Sequence, residues 1–294
     1  MVSDNFRKTL NAHAGRVEAC LSEIFGGLGK GNLVDAMRHG TLSGGKRLRA
    51  FLVLEGAQLY GVRPVQADRA AAAVECIHAY SLIHDDLPAM DDDTLRRGKP
   101  TVHVKWDDAT AILAGDALQT LAFEILLAPR TSADANIRLR LLSSLAQAAG
   151  ANGMVLGQMQ DIAAEVAKPP LDLAAITELQ SNKTGALFRW AAEAGPILGN
   201  ANPEILGNYA TAVGLAFQIT DDIMDVEGDA GKAGKRLQKD AVAGKATFVS
   251  VLGMKEAKAK AAALVEEACD SLAVFGATGD TLRQLAQFII TRDM

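Results

Sequence analysis

The chain has 294 residues, 49% hydrophobic and 22% charged, enough to bury a large core in one or two domains. A formal net charge of −5 removes the broad basic footprint of a nucleic-acid binder, so anions must be met by local Lys and Arg clusters. Three cysteines, Cys20, Cys76 and Cys269, are odd in number and widely spaced, which argues against a disulfide framework and fits a reducing cytoplasm.

Apolar residues recur at three- and four-residue spacing almost throughout, and two-residue alternation closed by hairpin turns is missing, so the expected fold class is all-α. The pattern predicts helices over 4–26, 46–60, 65–87, 108–128, 134–166, 172–194, 203–228, 245–273 and 279–291. Gly44-Gly45, Gly61, Pro64, Pro129, Pro169-Pro170, Gly195-Pro196 and Pro203 fall at their ends. No linker, repeat or low-complexity tract divides them, which predicts one domain over 1–294. The polar start, with Asp4, Arg7 and Lys8, is unlike a secretory signal, and no apolar run reads as long enough to cross a membrane.

Along the chain, the first chemistry-bearing motif is Gly44-Gly45 followed by Lys46 and Arg49. These two cations sit three residues apart at an expected helix start, where free amides and the helix dipole favour phosphate. On helix 65–87, His78 and Ser81 precede Asp85 by seven and four residues and share its face. Asp85-Asp86 is followed by Leu87-Pro88-Ala89-Met90-Asp91, and Asp85 and Asp91 would stand about 240° apart on an ideal helix. Pro88 cannot continue the helix, so a turn through 87–90 is expected to return Asp91 to Asp85, at the dipole end that favours a cation. Arg96 and Arg97 follow at once; being adjacent they diverge, and each could hold a different anion.

Lys183-Thr184-Gly185 interrupts helix 172–194 and predicts a kink facing a site. On helix 203–228, Gln218, Asp221, Asp222 and Asp225 follow the i, i+3, i+4, i+7 rule and are expected on one face. Beyond it, Gly231 to Lys235 and Asp240 to Lys245 read as a basic flap. Two carboxylate clusters in apolar surroundings need a compensating cation, and oxygen ligands without nearby His or Cys suit Mg²⁺ shared with substrate phosphates.

Gly44-Gly45-Lys46-Arg47-Leu48-Arg49, the Pro-containing Asp85–Asp91 motif, Arg96-Arg97-Gly98, Gly115-Asp116, Lys183-Thr184-Gly185 and Gln218–Asp225 occur in an order that resembles the trans-isoprenyl diphosphate synthases. The likeness runs over essentially the whole chain and is strongest to the bacterial farnesyl diphosphate synthase group. It implies an all-α prenyltransferase fold around a central cavity, working as a cytoplasmic homodimer without stable membrane insertion. It further implies that isopentenyl diphosphate is condensed head-to-tail with the allylic diphosphates dimethylallyl and geranyl diphosphate.

By the same resemblance Asp85, Asp91 and Asp221 would ligate three Mg²⁺ ions, for which Mn²⁺ could substitute, with Asp86 and Asp225 as helpers. Gly45, Lys46, Arg49, His78 and Arg97 would hold isopentenyl diphosphate, and Arg96, Lys183, Thr184, Gln218, Lys235 and Lys245 the allylic substrate. Lys183, Thr184, Gln218 and Arg96 would act on the developing charges, and Tyr80, five residues before the first Asp, with Ser81, would limit product length to C15. Geranylgeranyl and geranyl products are the alternatives at that position. A terpene cyclase would not need the second anion pocket at Lys46, Arg49 and Arg97, and a non-catalytic regulatory subunit would not need two intact Asp motifs.

Overall fold

The computed structural model describes residues 3–227 and 246–291, and every long element among them is a helix. Ser3 starts α1 (Asp4–Gly26) by accepting a hydrogen bond from the Phe6 amide, 3.2 Å. One apolar stripe of α1, including Phe6, Val17, Leu21 and Phe25, is buried; each large side chain contributes about 1.5–3 kcal/mol of transfer free energy. Next come α2 (Asn32–Thr41) and α3 (Leu48–Leu59), the latter buried almost all round.

The centre of the core is α4 (Pro64–Asp85), begun by Pro64 at its first position, where a missing N–H costs nothing. Ala70, Ala71, Ala72 and Ala73 are all fully buried. Their small side chains let α3, α1 and α6 (Asp108–Leu127) approach α4 closely, α6 most extensively. Asp107 caps α6 by accepting from the Thr110 amide at 2.6 Å. A minimal ribbon pairs Leu95–Arg96 (β1) with Lys99–Pro100 (β2), turning through Arg97 and Gly98 at positive φ, and leads into the short α5 (Val102–Lys105).

Then α7 (Ala135–Ala149), α8 (Met154–Ala164), α9 (Leu173–Gln180) and α10 (Ala186–Leu198) follow, with α10 against α3 and α11 (Glu204–Glu227). The last elements are α12 (Phe248–Leu252), α13 (Met254–Ser271), packed on α11, and α14 (Asp280–Thr291).

The helical reading holds, with local corrections. The periodicity does not mark the short α2. The expected helix over 134–166 breaks at Gly150–Gly153 into α7 and α8, and that over 245–273 breaks at Gly253, whose φ of 80° is left-handed. Among the described residues α6 is long and apolar enough to cross a membrane, contrary to expectation. Its apolar residues lie both on the buried face against α4 and on an exposed face carrying Ile112, Leu113 and Leu127.

Candidate active site

The C-terminal end of α4 is set by Pro88. Without its N–H the helix cannot continue, and the chain folds back: the Met90 amide reaches the Leu87 carbonyl (2.9 Å) and the Asp91 amide reaches the Asp85 carbonyl (2.8 Å). Asp91 therefore returns to Asp85 as the sequence predicts. Burial pushes the Asp85 carboxyl up to about 6, with the charges of Asp91 and Asp86 adding to the effect while Lys183 and Arg96 oppose it. Asp86 differs. It is 3% exposed, and the Arg96 guanidinium clasps it, Nε donating at 2.7 and 3.0 Å to its two oxygens and Nη2 at 2.5 Å. The pairing follows from burial, since a carboxylate this enclosed requires a counter-charge. Asp86 and Arg96, expected to serve metal and allylic substrate, here serve each other.

The basic side also departs from expectation. Arg47 has φ 50°, so α3 starts only at Leu48, and Lys46 and Arg49 do not share a helix face. Lys46 Nζ stands 5.6 Å over the Phe288 ring on α14, whereas the Arg49 guanidinium stands 4.9 Å over Phe188 on α10. Arg49 Nε is buried with no protein hydrogen-bond partner, and burial lowers this guanidinium to about 10. Arg97, at φ 53°, turns away from Arg96 and donates to the Gly44 carbonyl. The φ of 117° at Gly45, which an L side chain rarely adopts, explains the glycine there, and the Arg97 guanidinium packs where a Cβ would lie. Burial, reinforced by Arg49, Arg97, Arg47 and Arg96, holds the His78 imidazole well below its usual range, so it is neutral at pH 7. Between these groups Arg47 is buried against Glu75 (2.9 Å) and the Thr41 carbonyl (2.6 Å), a structural ion pair with no signal in the sequence.

The predicted kink is a single π-turn, Ser181–Gly185, joining α9 to α10. Its backbone packs on α8 at Gly157, where a Cβ would lie 2.7 Å from the Asn182 carbonyl carbon. Lys183 reaches Asp161 of α8 at 2.8 Å, and Gln218 donates its amide to Gln180 at 2.7 Å. Both partners were missed by sequence reasoning. On α11, Asp221 and Asp225 are partly buried, but Asp222 is buried and accepts from the Phe248 amide at 2.7 Å, anchoring the start of α12. Helical spacing put all three on one face; the packing of α12 takes Asp222 out of it. Among the described residues no three Asp, Glu, His or Cys side chains converge closely enough to hold a cation unaided.

A cavity of about 550 Å³ opens at the end of α4. Its polar part is lined by Arg49, His78, Ser81, Asp85, Lys183 and Thr184, and its apolar part by Tyr80, Leu82, Leu87, Met90 and, from α8, Met154, Val155, Met159 and Ile162. Seven predicted residues thus share one chamber. Lys46, Asp86, Asp91, Arg96, Arg97, Gln218, Asp221 and Asp225 do not line it, and Lys235 and Lys245 lie outside the described residues. The α8 wall escaped notice, although Val155, Met159 and Ile162 at i, i+4, i+7 form an exposed apolar stripe that a polar-solvent helix would not carry. A chamber lined by both cationic and apolar side chains suits an apolar molecule that carries an anionic group.

The polyprenyl synthetase family model matches residues 30–274. The chain is 48% identical to the farnesyl diphosphate synthase of Escherichia coli over 269 residues, 89% of each protein. It is 45% identical to the farnesyl diphosphate synthase of Haemophilus influenzae over 98% of this chain and 99% of that one. Among solved structures, the ligand-free FPP/GFPP synthase of Zymomonas mobilis superposes with a TM-score of 0.89 at 45% identity, covering 97% of this chain and 99% of the other.

Proposed function

The chain belongs to the polyprenyl synthetase family, and on that premise we propose that it condenses isopentenyl diphosphate head-to-tail with dimethylallyl and geranyl diphosphate, releasing diphosphate and making mainly farnesyl diphosphate. It is a prenyltransferase. The observation that carries the reading is one cavity lined both by Arg49, His78, Asp85, Lys183 and Thr184 and by apolar side chains including Tyr80, Leu87, Met90 and Met159.

Mg²⁺ fits the donor set. The carboxylates are hard oxygen ligands, and the raised Asp85 carboxyl is one that a divalent cation would return to its charged form. Asp85, Asp91 and Asp221 would hold the ions, with Asp225 assisting and Asp86 acting through Arg96, and substrate diphosphate oxygens would share the coordination. When bound, the metal neutralises diphosphate charge. The remaining work belongs to the chain. Arg49, Arg97 and Lys46 bind the isopentenyl diphosphate head, and neutral His78 adds a hydrogen bond without adding charge. As the allylic carbon–oxygen bond breaks, electrons go to the diphosphate, which Lys183 and Arg96 stabilise with Lys235 and Lys245. The Thr184 hydroxyl, the Lys183 carbonyl and the Gln218 side-chain oxygen face the allylic cation with their negative ends. The isopentenyl double bond attacks that cation, and a proton passes to the departing diphosphate. Water is kept away by the apolar walls, so the cation is not hydrolysed.

The protein is proposed to act as a cytoplasmic homodimer. Its three cysteines are unbonded, and Ile112, Leu113 and Leu127 on α6, 45–57% exposed, offer an apolar face to a second copy. The deciding experiment is chromatography of products from labelled isopentenyl diphosphate with each allylic primer and Mg²⁺. A C15 product is expected, and a C10 or C20 main product would replace the farnesyl assignment. Asp85→Ala and Asp221→Ala should each abolish turnover while keeping the helical circular dichroism; near-normal activity in either would refute the metal assignment.

A further inference from the structure

Tyr80 forms part of the cavity wall, but its own helix does not explain why its ring points there: it stands about 140° around α4 from Asp85. Its hydroxyl faces Gln119 of α6, and its ring is packed by a neighbour on α4. His84, one helical turn later, meets it edge-to-face with ring centroids 5.8 Å apart and planes at 75°. His84 is itself seated on α6, its Nε2–H donating to the Ile112 carbonyl at 3.1 Å. That seat exists because residue 115 has no side chain. A Cβ added at Gly115 would lie 2.5 Å from His84 Cδ2 and 2.8 Å from Cε1, inside any allowed contact. Although His84 is next to Asp85, its Nε2 is committed to α6, so this nitrogen is unavailable to a cation or a diphosphate.

We infer that His84 is a positioning residue that sets prenyl product length, by holding the Tyr80 ring across the cavity from a seat that Gly115 leaves open on α6. Tyr80 blocks the growing chain, and His84, packed edge-to-face on its ring, fixes that ring where its hydroxyl faces Gln119 of α6. The reacting atoms are untouched by either residue. The inference rests on the prenyltransferase reading above.

The test compares products from geranyl diphosphate and labelled isopentenyl diphosphate for wild type, Tyr80→Ala, His84→Ala, Gly115→Ala and the Tyr80→Ala/His84→Ala double variant, with melting temperatures measured in parallel. His84→Ala and Gly115→Ala should each raise the ratio of longer-than-C15 to C15 product roughly tenfold, the low end of an apolar pocket's discrimination for even one methylene. Tyr80→Ala should do at least as much, and His84→Ala should add nothing in the double variant, because its effect runs through Tyr80. If Gly115→Ala does not fold, His84→Ala and the double variant carry the test. A wild-type product profile in folded His84→Ala beside a lengthened one in Tyr80→Ala overturns the inference, as do additive effects in the double variant. A wild-type protein that forms no prenyl product at all overturns the proposed function, and the inference with it.

Discussion

Asp85→Asn should make the metal-free protein more stable at neutral and alkaline pH while removing its activity. Folding moves the Asp85 carboxyl from 3.8 to about 6, a shift caused first by burial and then by the charges of Asp91 and Asp86. At 1.36 kcal/mol per unit, ionising it in the folded state costs about 3 kcal/mol, or about 2 kcal/mol once partial solvent access is discounted. The sign follows from linkage. Below pH 3.8 the group is protonated in both states and costs nothing; the penalty grows as pH rises towards about 6 and is complete above it. The variant's advantage over wild type should therefore be absent near pH 3, small at pH 4, and reach about 2 kcal/mol by pH 8, roughly 4 °C in melting temperature for a chain of this size. Thermal melts of both proteins in EDTA across this range measure it. Adding Mg²⁺ and diphosphate should reverse the order, since only wild type keeps the carboxylate that binds. No gain at pH 8, or a gain equally large at pH 4.5, would refute the argument that this carboxyl is held against its preferred charge.

Two further substitutions probe the supports of the site. Asp161→Asn removes the partner of Lys183, and kcat/KM for geranyl diphosphate should fall about tenfold, or 1.4 kcal/mol; unchanged steady-state kinetics would show that Lys183 needs no holding. Glu75→Gln leaves the Arg47 guanidinium, 3% exposed, without its buried counter-ion, and urea denaturation should show a loss of about 3 kcal/mol. A loss below about 1 kcal/mol would mean that Glu18 and the Thr41 carbonyl suffice.

Much of this was legible in the chain itself. The three- and four-residue apolar period specifies helices because backbone hydrogen bonding and side-chain direction are local. The return of Asp91 to Asp85 is local too, since Pro88 must end the helix within a turn. The divergence of Arg96 and Arg97 follows from adjacency alone.

What the local pattern could not settle was the partner of each charged group. Lys46 and Arg49 share a face on paper, but the left-handed Arg47 delays α3 and sends them to Phe288 and Phe188, residues that meet only in the folded core. Asp222 looks equivalent to Asp221 by helical spacing until α12 docks its first amide on it. Asp86 reads by position only as a helper to the metal ligands, and nothing local shows that burial pairs it with Arg96. The α8 wall, the Asp161–Lys183 pair and the seat of His84 at Gly115 likewise join residues far apart in sequence. By itself the sequence determined the helices, the two acidic motifs and the need for anions beside them. Only the tertiary structure decided which charges face the cavity and which hold one another, because desolvation is imposed by distant residues and each buried charge must find its partner where packing places one.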